Sequence, residues 1–192
     1  ALSGGLSASA GVEITALGVS LQNLALQAGS ALRGASDAEQ GVDGSLTFAD
    51  ATEAVFRSLA EQISVLPPET DLPASQAQFE DLLSDAAVKA GLGVDAQDHL
   101  VPSSSDIASI MLSGLDALDE VSADPIEALR ELAQTASVLQ HAASSDIEAA
   151  VEAAAGEASD PSALSALLAS FTGEALEAAI DTTPTGNVLG SQ

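Results

Sequence analysis

Apolar residues recur along this chain at intervals of three and four, the period of a helix with one buried face, and polar punctuation falls where helix starts are expected. Leu17, Leu21, Leu24, Ala28 and Leu32 form a first stripe that stops at Gly34, after a short extended-looking stretch at Val12-Glu13-Ile14. A second helix is predicted from Thr47, with Asp50 as its capping-box partner, through Phe48, Val55, Leu59 and Ile63 to the breaker Pro67-Pro68. Ser75 with Gln78 opens a third through Phe79, Leu82, Leu83 and Ala86 to Gly91, and Ser105 opens a fourth through Ile107, Ile110, Met111, Leu115 and Leu118.

The next starts are the clearest. Asp124-Pro125-Ile126-Glu127 combines an N-cap, a proline at the first helical position and an acid in the first turn, each suited to the unpaired amides of a helix start. Leu129, Ala133, Ala136 and Leu139 are the expected buried face of this fifth helix. Ser145-Asp146-Ile147-Glu148 is a capping box opening an alanine-rich sixth helix to Gly156. Asp160-Pro161 starts a seventh through Leu164, Leu168 and Phe171, with Gly173 a kink or break before Leu176 and Ile180. No strict repeat at a solenoid period is present, so the pattern predicts an all-α bundle of six or seven short amphipathic helices with an Ala/Leu-rich core. Residues 1–192 read as a single helical domain. Pro67-Pro68 through Pro73 marks where a subdomain division would fall, at 67–74, and 182–192 read as a C-terminal linker or tail.

Charge changes the picture most. The chain carries 29 Asp plus Glu against 4 Lys plus Arg, a formal net charge of -25, yet is 46% hydrophobic. It can therefore bury a core while presenting an acidic surface that favours a cation-rich medium. Arg33, Arg57, Lys89 and Arg130 are too dispersed to form a phosphate-binding stripe, and Tyr and Trp are absent, which argues against nucleic-acid binding. The same field repels anionic lipid, and no apolar run approaches the length of a membrane span, so membrane insertion is not expected. The absence of cysteine excludes disulfides and thiolate metal sites. The N-terminal Ala1-Leu2-Ser3-Gly4-Gly5 has neither the basic nor the apolar region of a signal peptide.

One segment has metal-ligand spacing. Glu39 through Asp50 aligns with a twelve-residue calcium loop, with Gly44 at the sixth position and Leu46 at the apolar eighth. The donors would be Glu39, Asp43, the Ser45 carbonyl, Thr47 directly or through water, and Asp50. Gly41 removes the third-position donor, and Asp50 is a methylene shorter than the usual bidentate Glu. The competing reading makes Asp43-Gly44 a turn and Thr47 an ordinary N-cap. The segment Asp43 to Ala51 resembles the loop-helix of dockerin-type calcium modules, a resemblance that implies bound Ca2+.

Catalytic patterns are missing: there is no nucleophile elbow, zinc-binding His pair, Walker loop or dinucleotide fingerprint. His99 follows Asp95 and Asp98 in what reads as a polar interhelical loop before Pro102, and His141 lies near the C-terminal end of the fifth helix, where the dipole favours a cation. A deep pocket with carboxylates converging on His99 would point back to an enzyme.

At the C-terminus, Asp181-Thr182-Thr183-Pro184-Thr185-Gly186-Asn187-Val188-Leu189 resembles the junction that opens cadherin-like tandem repeats in large secreted bacterial adhesins of the RTX type, although Gly190-Ser191-Gln192 stands where the acidic calcium-linking part would follow. Asp124 to Leu129 and the alanine-rich helices after it are similar to helical modules of such surface proteins. The resemblance implies a non-catalytic structural or interaction module, secreted or at the cell surface, with cations as small partners and neighbouring domains of a larger protein or copies of itself as macromolecular ones. For self-assembly, the exposed alanine-rich faces are the expected contacts. The other reading is a salt-adapted acidic soluble binding protein.

Overall fold

Small side chains at the helix crossings govern how this protein packs. The structure, a computed structural model, describes residues 8–40, 46–65, 75–120, 122–142, 146–156 and 160–183. Among them there are eight α-helices and no strands: α1 (Ala8–Gln40), α2 (Phe48–Val65), α3 (Gln76–Lys89), α4 (Val94–Asp119), α5 (Pro125–His141), α6 (Ile147–Ala155), α7 (Ser162–Ser170) and α8 (Gly173–Thr182). The all-α class is as the sequence predicts, but the helices number one more than seven. Gly173 makes the difference: at φ +56 it takes a left-handed conformation that ends α7 and starts α8 at an angle of 62°.

α1 is the central element, packing against α2, α4, α5 and α6. Its second half is buried nearly all round, through Leu24, Ala25, Ala28, Ala31, Leu32 and Ala35. Those alanines bring neighbouring backbones close, and Gly34 brings α6 closest. A Cβ at Gly34 would run into the Glu148 carbonyl oxygen and lie 2.9 Å from the Val151 Cβ. The helix therefore passes through Gly34, where a stop is expected from sequence. It also passes through Val12-Glu13-Ile14, because Val12, Ala16 and Val19 pack on Leu118, Leu132, Leu139 and Leu176, and this burial overrides the weaker helix preference of β-branched residues.

Helix caps follow the sequence closely. The Thr47 hydroxyl accepts from the Asp50 amide at 3.2 Å and donates to the Asp50 carboxylate at 2.5 Å, which starts α2. Ser75 pairs with Gln78 in the same way at α3, and Asp124 accepts from the amides of Ile126 and Glu127 at α5. The expected Ser145 cap of α6 lies outside the described residues. α4 differs: it begins at Val94, not at Ser105, and runs through Pro102. Proline lacks the N–H that would bind the Asp98 carbonyl, but Asp98 and Pro102 both lie on the exposed side of the helix, so that group is not forced into the core. Leu100, Ser103 and Ile107 on the other side are buried and hold the helix in place.

The main core joins α1, α2, α3, α4, α6 and α7, with Phe79 at 0% exposure its largest side chain, and it draws residues from both sides of the proline-rich 66–74 segment, which is itself outside the described residues. Burying each such Leu, Ile or Phe contributes about 1.5–3 kcal/mol, whereas each Ala adds far less. A smaller cluster of Leu118, Leu132, Leu139 and Leu176 joins the first half of α1 to the end of α4, α5 and α8. The expectation fails at three positions: Leu129 is 45%, Leu17 48% and Ile63 44% exposed; α5 turns Ala128 and Leu132 inward instead, and the first half of α1 is covered on one side. Of the aromatic rings, Phe79 is buried while Phe56 faces solvent.

Candidate functional site

The predicted calcium donors fall at the corner between α1 and α2. Asp43 and Ser45 lie outside the described residues. Of the others, the structure brings Thr47 and Asp50 together as the reciprocal cap of α2, and the Leu46 amide donates to the Ser36 hydroxyl at 3.2 Å, tying the approach to that cap onto α1. Glu39, in the last turn of α1, points elsewhere. Its carboxylate lies over the Cα of Gly93, the N-cap of α4, so closely that a Cβ there would sit 2.6 Å from Oε1. An anion at a helix N-terminus is favoured by the dipole, and Gly93 has no side chain with which to cap α4 itself. Glu39 Oε2 is nonetheless buried without a hydrogen-bond partner. Among the described residues no group of three His, Asp or Glu side chains is placed to hold a metal ion.

A second charged cluster, not singled out by sequence spacing, lies where α1 crosses α6. Arg33 pairs with Glu148 at 3.0 Å, both largely shielded from solvent. Burial pushes the Glu148 carboxyl above its ordinary range; Arg33 opposes that shift, and Asp37 and Glu152 add to it. Arg33 Nε and Asp37 Oδ1 are buried without partners. The other cations also meet carboxylates, these in more exposed settings. Lys89 bridges Glu61 of α2 at 3.0 Å and also meets Asp85, while Arg57 meets Glu53 and Arg130 meets Glu127 within their own helices. These contacts hold the Asp85 and Glu127 carboxyls below their ordinary values, through the hydrogen bonds from Lys89 and Arg130 first. All four Lys and Arg side chains thus sit against carboxylates, in a chain of 29 Asp plus Glu.

His99 lies half-buried on α4, not in a loop. The nearby cleft between α3 and α4, about 160 Å³, is lined by Glu80, Ser84, Gln97, Asp98 and Ser104, without His99. His141 ends α5 and borders a second cleft, of about 340 Å³, with Val138, Phe171, Ala179 and Thr183. Beside it the Gln134 amide donates to the Thr183 carbonyl at 2.8 Å and accepts from Arg130 at 2.9 Å, clamping the end of α8 to α5.

Between the two hydrophobic clusters runs a polar seam that periodicity alone did not flag. Ser20, Asn23 and Gln27 of α1 are buried against Gly114, Leu118 and Leu139. The Asn23 amide donates to the Val19 carbonyl at 3.0 Å, but Asn23 Oδ1 and Gln27 Nε2 have no partner. The legible signal was their spacing of three and four, on the flank of the apolar stripe.

No family model, curated protein or solved structure matches this chain. Among the described residues no single helix is long and apolar enough to cross a membrane.

Proposed function

We propose that the chain is a non-catalytic structural or interaction module of a secreted bacterial cell-surface or matrix protein, held in its working state by cations. The charge balance carries this reading. With Arg33, Arg57, Lys89 and Arg130 each already against a carboxylate and a net charge of -25, the acidic surface depends on ions from the medium for compensation, and self-repulsion opposes compaction where those ions are scarce. A core so rich in alanine has limited hydrophobic stabilisation with which to offset that repulsion.

Calcium is the divalent ion assigned to the α1–α2 corner, with Glu39, Asp43, the Ser45 carbonyl, Thr47 and Asp50 as donors. Asp50 would exchange its hydrogen bond to Thr47 for the ion, and Glu39 would leave Gly93, so the affinity expected is low. Calorimetric titration of the full chain beside Asp43→Ala and Asp50→Ala tests this. Binding heat and a thermal shift in the parent chain, lost in both variants, support calcium at this corner. A parent chain with neither at millimolar calcium leaves the corner as a capped turn and its cations as general counter-ions.

A further inference from the structure

We infer that the outward face of the first half of α1 is a self-association surface, on which a second copy of this chain docks by the same face. The inference rests on the module reading only in giving that module one partner. One stripe runs the length of α1 at spacings of three and four: Ile14, Leu17, Leu21, Leu24, Ala28, Leu32 and Ala35. From Leu21 onward it enters the main core with α2, α3, α4 and α6. Toward the N-terminus the same stripe continues into the exposed part of the helix: Ile14 is 56% and Leu17 48% exposed. Beside them a Cβ at Gly11 or Gly18 would meet no atom within 4 Å. The opposite side of this half-helix is occupied by Val12, Ala16 and Val19 in the smaller cluster. An apolar seam satisfied over one half of a helix is thus left open over the other.

Charge decides what can cover it. Glu13 is the sole charged residue from Ala8 to Leu32, in a chain of net charge -25. Two copies approaching by the acid-bearing faces of α2 to α6 bring acid against acid, whereas this face is nearly neutral. A cationic partner would be drawn to the acidic faces instead. The open stretch is short, about 21 Å for some 14 helical residues, so pairing buries an area at the low end of specific interfaces. A two-fold pair of α1 helices crossing near Gly18, where the absent side chain permits close approach, is therefore reversible. It forms only where salt screens the repulsion between the rest of the two molecules.

Sedimentation velocity of the full chain over a range of concentrations, in low salt and in about 1 M NaCl, where the Debye length is about 3 Å, tests the proposal. The expected result is a monomer in low salt and a concentration-dependent dimer in high salt. Leu17→Glu, an exposed position, should weaken that dimer about tenfold or more by placing like charges together, and Ile14→Glu should do the same should the first variant fold poorly. Because the chain has no cysteine, Gly18→Cys should oxidise to a disulfide-linked dimer in high salt, while Ile126→Cys, at 82% exposure on α5, should not. A chain that stays monomeric in high salt, a dimer indifferent to both Glu variants, or equal cross-linking at both cysteines overturns the proposal. The melting temperature followed in the same samples separates the two readings: a rise with salt in a chain that stays monomeric overturns the dimer and leaves the module reading standing.

Discussion

Replacing Gln27 by Met should stabilise this protein, although it removes a buried polar side chain from the centre of the longest helix. Gln27 and Asn23 are each 2% exposed, Gln27 Nε2 and Asn23 Oδ1 lack partners, and the space among Asn23, Gln27, Gly114 and Leu139 admits no water molecule. A buried polar group left unsatisfied costs about 1–3 kcal/mol, and Met fills a similar volume without strict shape demands. Allowing for imperfect packing, the gain expected is about 1–2 kcal/mol, and each kcal/mol moves the melting temperature of a domain this size by about 2–4 °C. Urea unfolding should show a raised midpoint at unchanged slope, which would assign the change to stability and not to the compactness of either state. Asn23→Leu should act in the same direction, because the Asn23–Val19 bond is made to a carbonyl that the helix ladder already engages. The two effects should not add, since the side chains are one turn apart. A loss of more than about 1 kcal/mol in Gln27→Met would refute the reasoning, since it would mean that the carboxamide is satisfied in solution.

Gly34→Ala should destabilise by about 1–3 kcal/mol in the same urea assay, because its Cβ meets the Glu148 backbone and Val151; a neutral result would mean that α1 and α6 separate easily. Gly18→Ala in low salt should raise stability by about 0.5–1 kcal/mol, since nothing lies within 4 Å of the new methyl; a loss would mean that this face is already covered in the monomer. The Glu148 contribution to stability should increase as pH falls from neutrality through its raised folded value toward the ordinary glutamate range. Its folded pKa is raised, so the native state binds the proton more tightly, and the ionised form is the one that opposes folding above that range. Glu148→Gln should flatten this part of the profile, and an unchanged slope would remove Glu148 as its source. Asp85, Glu127 and Asp160, whose carboxyls are held low, act with the opposite sign, and their contribution is lost only at lower pH, as the medium passes through their folded values.

Much of the fold was legible because its signals are local. Thr47 with Asp50, Ser75 with Gln78 and Asp124-Pro125 mark helix starts by bonds within a single turn, and the structure shows those bonds. What escaped depends on tertiary packing. Val12-Glu13-Ile14 is helical because α5 and α8 cover one side of it, Pro102 sits inside α4 because Leu100 and Ile107 are buried opposite, and Leu129 is exposed because the register of α5 is set by Leu132 and Leu139. The candidate site was less legible for a related reason. Spacing placed Glu39 with Asp50, but the side chain of Glu39 is drawn to the start of α4, an element 54 residues downstream of it at Gly93. The Arg33–Glu148 pair joins residues from α1 and α6 that no sequence window connects.

The proposed role of cations is to offset the self-repulsion of this acidic, alanine-cored bundle. Its most direct test is the melting temperature of the full chain as a function of NaCl, with calcium chloride and magnesium chloride at matched ionic strength. The melting temperature should rise with NaCl and level off as the Debye length falls to about 3 Å near 1 M, with divalent ions effective at lower concentration. A melting temperature that is flat or falls as salt is added would contradict it.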